Sequence, residues 1–461
     1  MKLKKIKINK KRIFIIGIVL IVALILSFNI YKAYSESSVS YAIDNGNQTD
    51  TNHLTFYREN DLGEYEAYNG SAFENNNYIL NAEESYCKYG SELIYDFYSN
   101  ELSINSIGQD NCYLYYDLKN YLKDEILLNN NASKDTIISL NNLSKASVSQ
   151  SYYDNQYGSD KSKYVVDSGF YKTSNETSTN YYFRGEVNNN WVYFAGIYWR
   201  IIRIDESGNI RMIYSGTTAP TSSQSYVMTG VNTQIGAVQF NRHDTLGNKV
   251  RLDLSIEGMG YVYAENDLHG LSKNSQIKES VDAWYNSTLK SDYEKYLTES
   301  MFCVDRTASL DDKFNSYIDY VNTSFDDYKD KVIYMGPADR IRYGTINPSL
   351  ECPLNIDKLN LYAGLINADE VAYAGGATNI NNPSYYLYTG MEYWTISPIF
   401  HINRTAYVYS VYDTGHLGSR KVGGEAPVVT LPGIRPVISL NSSVLFSSGD
   451  GTYSNPYKII Y

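Results

Sequence analysis

The sequence predicts an α+β protein dominated by β structure, carried behind one N-terminal membrane helix. Three observations lead there. Short runs rich in Tyr, Ile and Val recur from residue 78 to the C-terminus, separated by turns of Asn, Asp, Ser and Gly, which is the signature of paired strands. Helix-like spacing of apolar residues beyond the N-terminus is confined to parts of 121–143, 275–302 and 367–376. Residues 13–30 form an apolar run with no charge in it.

The first element is a cytoplasmic basic tail, residues 1–12, with Lys2, Lys4, Lys5, Lys7, Lys10, Lys11 and Arg12 and no acid. The transmembrane helix, 13–30, reads IFIIGIVLIVALILSFNI. At 1.5 Å per residue it spans about 27 Å, close to the thickness of a hydrocarbon core. The positive-inside rule keeps the tail in the cytoplasm and exports the rest. The membrane is therefore the partner of 13–30, and the bulk of the chain is extracytoplasmic. A cleaved signal peptide, with Ala33-Tyr34-Ser35 as its cleavage site, is the alternative, but the apolar run is longer than the usual h-region. Net charge is −11 and the tail carries +7, which leaves −18 for the remainder. Such a balance argues against a nucleic-acid partner, because phosphate binding needs a net positive face.

Residues 31–70 are polar without an apolar period and read as a stalk, although HLTFYRE (53–59) has the alternation of a strand. Residues 71–120 read as a small β module with strands at 78–81, 92–99, 101–107 and 112–118. Residues 121–163 are a helical and linker segment, with helices at 121–128 and 133–143 followed by a Ser, Tyr, Asp and Lys stretch. Residues 164–461 form one larger α+β domain. Its first feature is YYFRGEVNNNWVYFAGIYWRIIRIDESGNIRMIYSG (181–216), a meander of three or four antiparallel strands turning at 187–190 and 206–209. SQIKESVDAWYNSTL (275–289) is a helix capped by Ser275, and DYEKYLTESMF (292–302) reads as a second one. LNLYAGLINADEVAYAGG (359–376) is a strand, then a helix starting near Asn367 and closed by Gly375-Gly376. The tail returns to strands at 393–398, 405–418, 433–440 and 455–460.

The meander, followed in order by VDAWY, FCVDR, LINADEVAYAGG, YWTISP, GIRPVISL and SGDGTYSNPYKI, resembles an uncharacterised domain of exported, membrane-anchored surface proteins in low-GC Gram-positive bacteria and their wall-less relatives. The resemblance covers about residues 164–461. More remotely, Trp394-x-x-Ser397-Pro398 and the closing Gly433-Ile434-Arg435-Pro436-Val437 are similar to the last strands of C-type-lectin-like domains. The formylglycine-generating branch of that fold oxidises with a cysteine pair near its C-terminus. No Cys follows Cys352 here, so that chemistry does not carry over.

Candidates for chemistry are few. The cysteines Cys87, Cys112, Cys303 and Cys352 have no C-x-x-C spacing, which disfavours zinc and thioredoxin-like sites. They permit three pairings, of which proximity favours Cys87–Cys112 and Cys303–Cys352, with four free thiols as the alternative. No phosphate-loop, dinucleotide, zinc-protease or nucleophile-elbow motif occurs. His401 and His416 fall in one β region and are the histidines placed to converge, while Asp369 and Glu370 suit a helix start. No cofactor is expected beyond calcium in the loop SSGDGTYSNP (447–456), which lacks EF-hand spacing. The 48 tyrosines carry the one functional slant. Tyr393 and Trp394 precede TAYVYSVYD, in which Tyr407 and Tyr409 alternate with Ala406 and Val408. Placing Ala406 and Val408 inward leaves Tyr407 and Tyr409 on an open face suited to a surface glycan or protein. The expected function is recognition by a membrane-anchored surface protein. The rivals are a hydrolase of wall or host polymers and a structural envelope component.

Overall fold

The computed structural model describes residues 41–44, 53–60, 62–68, 77–96, 101–130, 168–174, 179–221, 230–241, 252, 254–319, 322–341, 348–378, 381–423 and 431–461. The basic tail, the apolar run 13–30, the helix expected at 133–143 and His243 lie outside these residues. Among the described residues no helix is long and apolar enough to cross a membrane. The chain divides into two compact units, Met1–Asn120 and Tyr121–Tyr461.

The small unit is built from β1 (Tyr41–Asp44), β2 (His53–Glu59), β3 (Tyr65–Tyr68), β4 (Tyr78–Cys87), β5 (Glu92–Asp96), β6 (Glu101–Asn105) and β7 (Asn111–Leu118). They form two sheets, ordered β1-β6-β5 and β3-β2-β7-β4. Strand β7 shows the logic of the fold. Cys112, Leu114 and Tyr116 are buried, whereas the alternating Tyr113, Tyr115 and Asp117 are only half-buried. The buried side meets the other sheet: Leu80, Leu114 and Tyr116 cluster with Leu102, and Phe56, Tyr68, Leu93 and Tyr95 pack around them. The pairs β1–β6 and β2–β7 are parallel and join segments distant in sequence. Within the 31–70 stretch read as a stalk, the described residues 41–44, 53–59 and 65–68 are the sheet strands β1, β2 and β3, which favours the strand alternative at 53–59. Leu54 and Phe56 lie opposite Cys112 and Leu114, so the strand alternation of 53–59 is completed by a partner distant in sequence.

The large unit opens with α1 (Leu122–Asn129), whose Leu122 and Ile126 enter its core. The helix falls where the sequence places one, at 121–128, and belongs to this unit. Strands β8 (Gly169–Ser174) and β9 (Thr179–Arg184) precede the meander of β10 (Trp191–Phe194), β11 (Ile197–Ile204) and β12 (Ile210–Tyr214). A two-residue turn of Ala195 (φ 55°) and Gly196 (φ 73°) joins β10 to β11, and such left-handed pairs match strand twist. At the next turn the Asp205 carboxylate accepts from the backbone N–H groups of Ser207 and Asn209, both at 2.9 Å. Smaller elements follow: the ribbon β13 (Val262–Tyr263) and β14 (Lys273–Asn274), α2 (Gln276–Thr288), α3 (Lys290–Tyr293), β15 (Ser300–Cys303), β16 (Ala308–Ser309), α4 (Phe325–Tyr328), β17 (Ile333–Met335), α5 (Gly336–Ile341), β18 (Lys358–Leu361), β19 (Ala363–Leu365) and α6 (Ala368–Ala374). The chain closes with β20 (Tyr393–Ile402), β21 (Thr405–Val411), β22 (Leu417–Lys421), β23 (Pro436–Leu440), β24 (Phe446–Ser448) and β25 (Tyr457–Ile459).

Two sheets carry this unit. One runs β19-β23-β12-β11-β10-β25-β24, with β9 beside β11 and β8 beside β9. The other runs β16-β17-β20-β21-β22. One continuous core includes Trp199, Ile201, Ile213, Trp394, Val408 and Val437. Helix α2 starts as expected, with the Ser275 side chain accepting from the backbone N–H of Lys278. The helix expected at 292–302 ends early: Ser300–Cys303 is strand β15, paired with β18. Phe302 is fully buried there beside Arg211, so tertiary pairing overrides local spacing.

Candidate functional site

The aromatic residues singled out in the C-terminal domain are core, which corrects the open face expected there. Tyr393, Trp394 and Tyr409 are buried, and only Tyr407 is half-buried, in ring contact with Phe400 at 4.8 Å. Strand β21 lies between β20 and β22, and the helical turn Ile256–Met259 packs against it. Ala406, Val408, Tyr409, Ser410 and Val411 are all buried, so both faces of the strand are covered and alternation cannot distinguish them. The polar tips are committed as well. The Tyr393 hydroxyl donates to the Leu387 carbonyl at 3.0 Å, and Trp394 Nε1 donates to the Val238 carbonyl at 2.8 Å. Burial pushes the Tyr393 phenol up to about 12, against the lowering effect of Arg435 beside its ring.

Around helix α6 the core holds a charged network. Asn367 and Glu370 form a reciprocal capping box, and Gly375 closes the helix in the left-handed region. The Glu370 carboxylate pairs with Arg211 at 2.5 Å and Arg203 at 3.2 Å. Burial alone would raise this carboxyl, but Arg211 and Arg203 outweigh it and hold it below the ordinary carboxylate range. Arg340 grips Asp369 through two bonds of 2.8 Å and reaches Asp305 at 2.5 Å. A third node joins His269 Nδ1 to Asp357 at 3.0 Å, with Asp357 also accepting from the Arg306 backbone and guanidinium. Each of these carboxylates already has a cation at hydrogen-bond distance, so the arrangement locks elements together.

The other candidates resolve separately. His401 is buried with its ring nitrogens facing the Leu254 and Lys331 carbonyls, while His416 stacks on Tyr412 at 4.4 Å, so the two take different partners. In the loop considered for calcium, Asp450 accepts from the N–H and hydroxyl of Thr452 at 2.9 and 2.6 Å, and the Gly451 carbonyl accepts from the Trp191 N–H. The loop is a turn pinned to β10. The cysteines form Cys87–Cys112 and Cys303–Cys352, and none is free. Asp110 lies within 4.8 Å of both sulfurs of the first pair, but these are bonded to each other, and the carboxylate accepts from the N–H groups of Tyr89, Ser91 and Asn111.

An open aromatic face does exist, on the small unit. The side of its four-stranded sheet turned away from the core carries Tyr65 on β3, Tyr57 on β2, Tyr113 and Tyr115 on β7, and Tyr86 on β4. Tyr57 stacks on Tyr115 with centroids 4.7 Å apart, Tyr65 meets Tyr115 edge-on at 5.0 Å, and Tyr86 stacks on Tyr113 at 5.1 Å. Tyr65 is 37 % and Tyr86 51 % exposed. The Tyr65 hydroxyl donates to Asp117, whose other oxygen accepts from Asn81 Nδ2 at 3.0 Å. The hydroxyls of Tyr57, Tyr86, Tyr113 and Tyr115 make no hydrogen bond to the described residues. Burial, then Tyr57, raises the Tyr115 phenol, which keeps it a neutral donor at physiological pH. The strand residues of this face include Glu59 and Asp117 but no Lys or Arg, since Arg58 points to the other side and pairs with Glu66. Sequence reasoning did not single out this face. The signal was legible in CYLYYDL, where Tyr113 and Tyr115 alternate with Cys112, Leu114 and Tyr116. Against known proteins, the chain matches no family model, no curated protein and no solved structure.

Proposed function

We propose that the chain is a membrane-anchored, extracytoplasmic recognition protein that binds a surface glycan or protein through the tyrosine face of its small unit. The observation that carries this reading is the row of five tyrosines across four strands, with four hydroxyls uncommitted to the described residues. Tyrosine offers broad contact at low entropic cost together with a donor and acceptor at its tip. Two disulfides and no free thiol favour an oxidising compartment. The anchor is residues 13–30, held by the basic tail. For the large unit, the proposed C-type-lectin-like scaffold rests on the sequence motifs at 394–398 and 433–437.

Two measurements test the proposal. Protease added to intact cells should remove the chain beyond about residue 35 and leave a small membrane-bound stub; a full-length soluble cytoplasmic form would sink the anchor. Capture of envelope components by the full chain should fall when Tyr57→Ala and Tyr86→Ala are combined. A hot-spot pair at a binding centre is worth about 2 kcal/mol or more. Undiminished capture by a folded double variant would remove the face from the function.

A further inference from the structure

Resting on the reading of the tyrosine face as a recognition surface, we infer that its occupant is an uncharged, hydroxyl-bearing polysaccharide. Three features of the face select this chemistry. The first is hydrogen bonding. The phenols of Tyr57, Tyr86, Tyr113 and Tyr115, which make no hydrogen bond to the described residues, are each donor and acceptor, which is the pattern that sugar hydroxyls satisfy in return. The Tyr65–Asp117–Asn81 group at one side is already fixed by its internal bonds and adds preorganised acceptors.

The second feature is shape. Outward residues of these strands are Tyr, Thr, Asn, Glu, Asp, His and Ala, and the lone aliphatic chain of size, Ile79, is buried. A protein-binding centre sets tyrosine among Trp and Arg anchors, and the outward residues of these strands add neither. Sugar rings present flat C–H faces, for which an exposed aromatic ring such as Tyr86 is the natural support. Four strands at their usual spacing make a row about 14 Å across, enough for a short run of sugar units and more than one.

The third feature is charge. Among the described strand residues of this face, Glu59 and Asp117 point outward and no Lys or Arg joins them, so the local field opposes phosphate-, sulfate- or uronate-bearing polymers. An uncharged chain meets no such penalty.

The test uses the full chain in detergent micelles and calorimetric titration with cellohexaose, chitohexaose and maltohexaose as neutral probes, a galacturonate hexamer as the acidic probe, and glucose. A neutral hexasaccharide should bind, glucose about tenfold or more weaker, and the acidic hexamer not at all. Combining Tyr57→Ala with Tyr86→Ala should weaken hexasaccharide binding about tenfold or more while circular dichroism and the Cys87–Cys112 bond stay intact. The pair Tyr57→Phe and Tyr86→Phe keeps both rings and the fold, and should lose a smaller part of the affinity. Binding of no neutral hexasaccharide, or binding that both double variants leave unchanged, overturns the inference. If envelope proteins are captured through this face while sugars are not, the glycan assignment falls and the recognition face stands. If neither capture nor sugar binding responds to the substitutions, the face itself falls.

Discussion

Glu370 is 1 % exposed and faces two guanidinium groups, so its removal should leave Arg203 and Arg211 buried without their shared anion. Breaking a buried pair in this way costs about 3–5 kcal/mol. Glu370→Gln should therefore lower the denaturant midpoint of the large unit sharply. The pH dependence follows from the lowered carboxyl: the stabilisation is complete above the ordinary carboxylate range and is lost as pH falls through the lower folded value. Acid titration of the wild type should show this loss, and Glu370→Gln should flatten it. Trp199 is fully buried with Nε1 bonded to the Phe194 carbonyl, and Trp199→Ala should cost about 3–5 kcal/mol. Tyr409→Ala should behave like Trp199→Ala, and Tyr407→Ala should cost clearly less, as measured by urea unfolding. At this scale the acids at 369–370 were legible as a helix start, because charge and cap chemistry are local. Their arginine partners were not, since Arg203, Arg211 and Arg340 come from distant elements.

The elements that read correctly are those whose determinants sit within a few residues. The meander announces itself by its turns, α2 by Ser275 and α6 by Asn367 and Gly375. Asn367→Ala should therefore cost about 1 kcal/mol. Gly375→Ala, at φ 114°, should cost at least about as much through strain, both read from thermal melts. The misread elements depend on partners elsewhere. Phe302 joins β15 because β18 pairs with it, and β2 is a strand because β7 lies beside it 58 positions on. The Cys87–Cys112 bond links residues that already face each other across β4 and β7. It closes a loop of 25 residues and should contribute about 3 kcal/mol to a unit with a small core. Replacing both by Ser should lower the melting temperature of the small unit, and non-reducing peptide mapping of the native protein should recover this pair and Cys303–Cys352.

Each unit has its own buried cluster and its own disulfide. Calorimetry of the full chain should therefore resolve two transitions, with reductant shifting the smaller one further. A single transition would mean that the units unfold as one body. At this scale the β-dominated class and a boundary near residue 120 were legible from composition and turn spacing. The reach of the small unit back to residue 41 was hidden, because its first strands find their partners only after the chain has passed through residues 101–118.

The parallel pairing of β2 with β7 also decides how the small unit answers a pull. Tension that enters at His53 and leaves at Leu118 acts at opposite ends of two strands running the same way. It slides β2 along β7, and the ladder from His53–Asn111 to Arg58–Tyr116 is loaded in parallel and not peeled one rung at a time. Shear of this kind makes rupture a single high-force event governed by the unfolding rate. Even after rupture, the cystine between Cys87 and Cys112 shields the 25-residue loop from extension. In optical-tweezer traces, reduction should lengthen the step by the contour of that loop, about 90 Å at most. A domain tethered at one end and holding a ligand would thus yield late and by a limited amount.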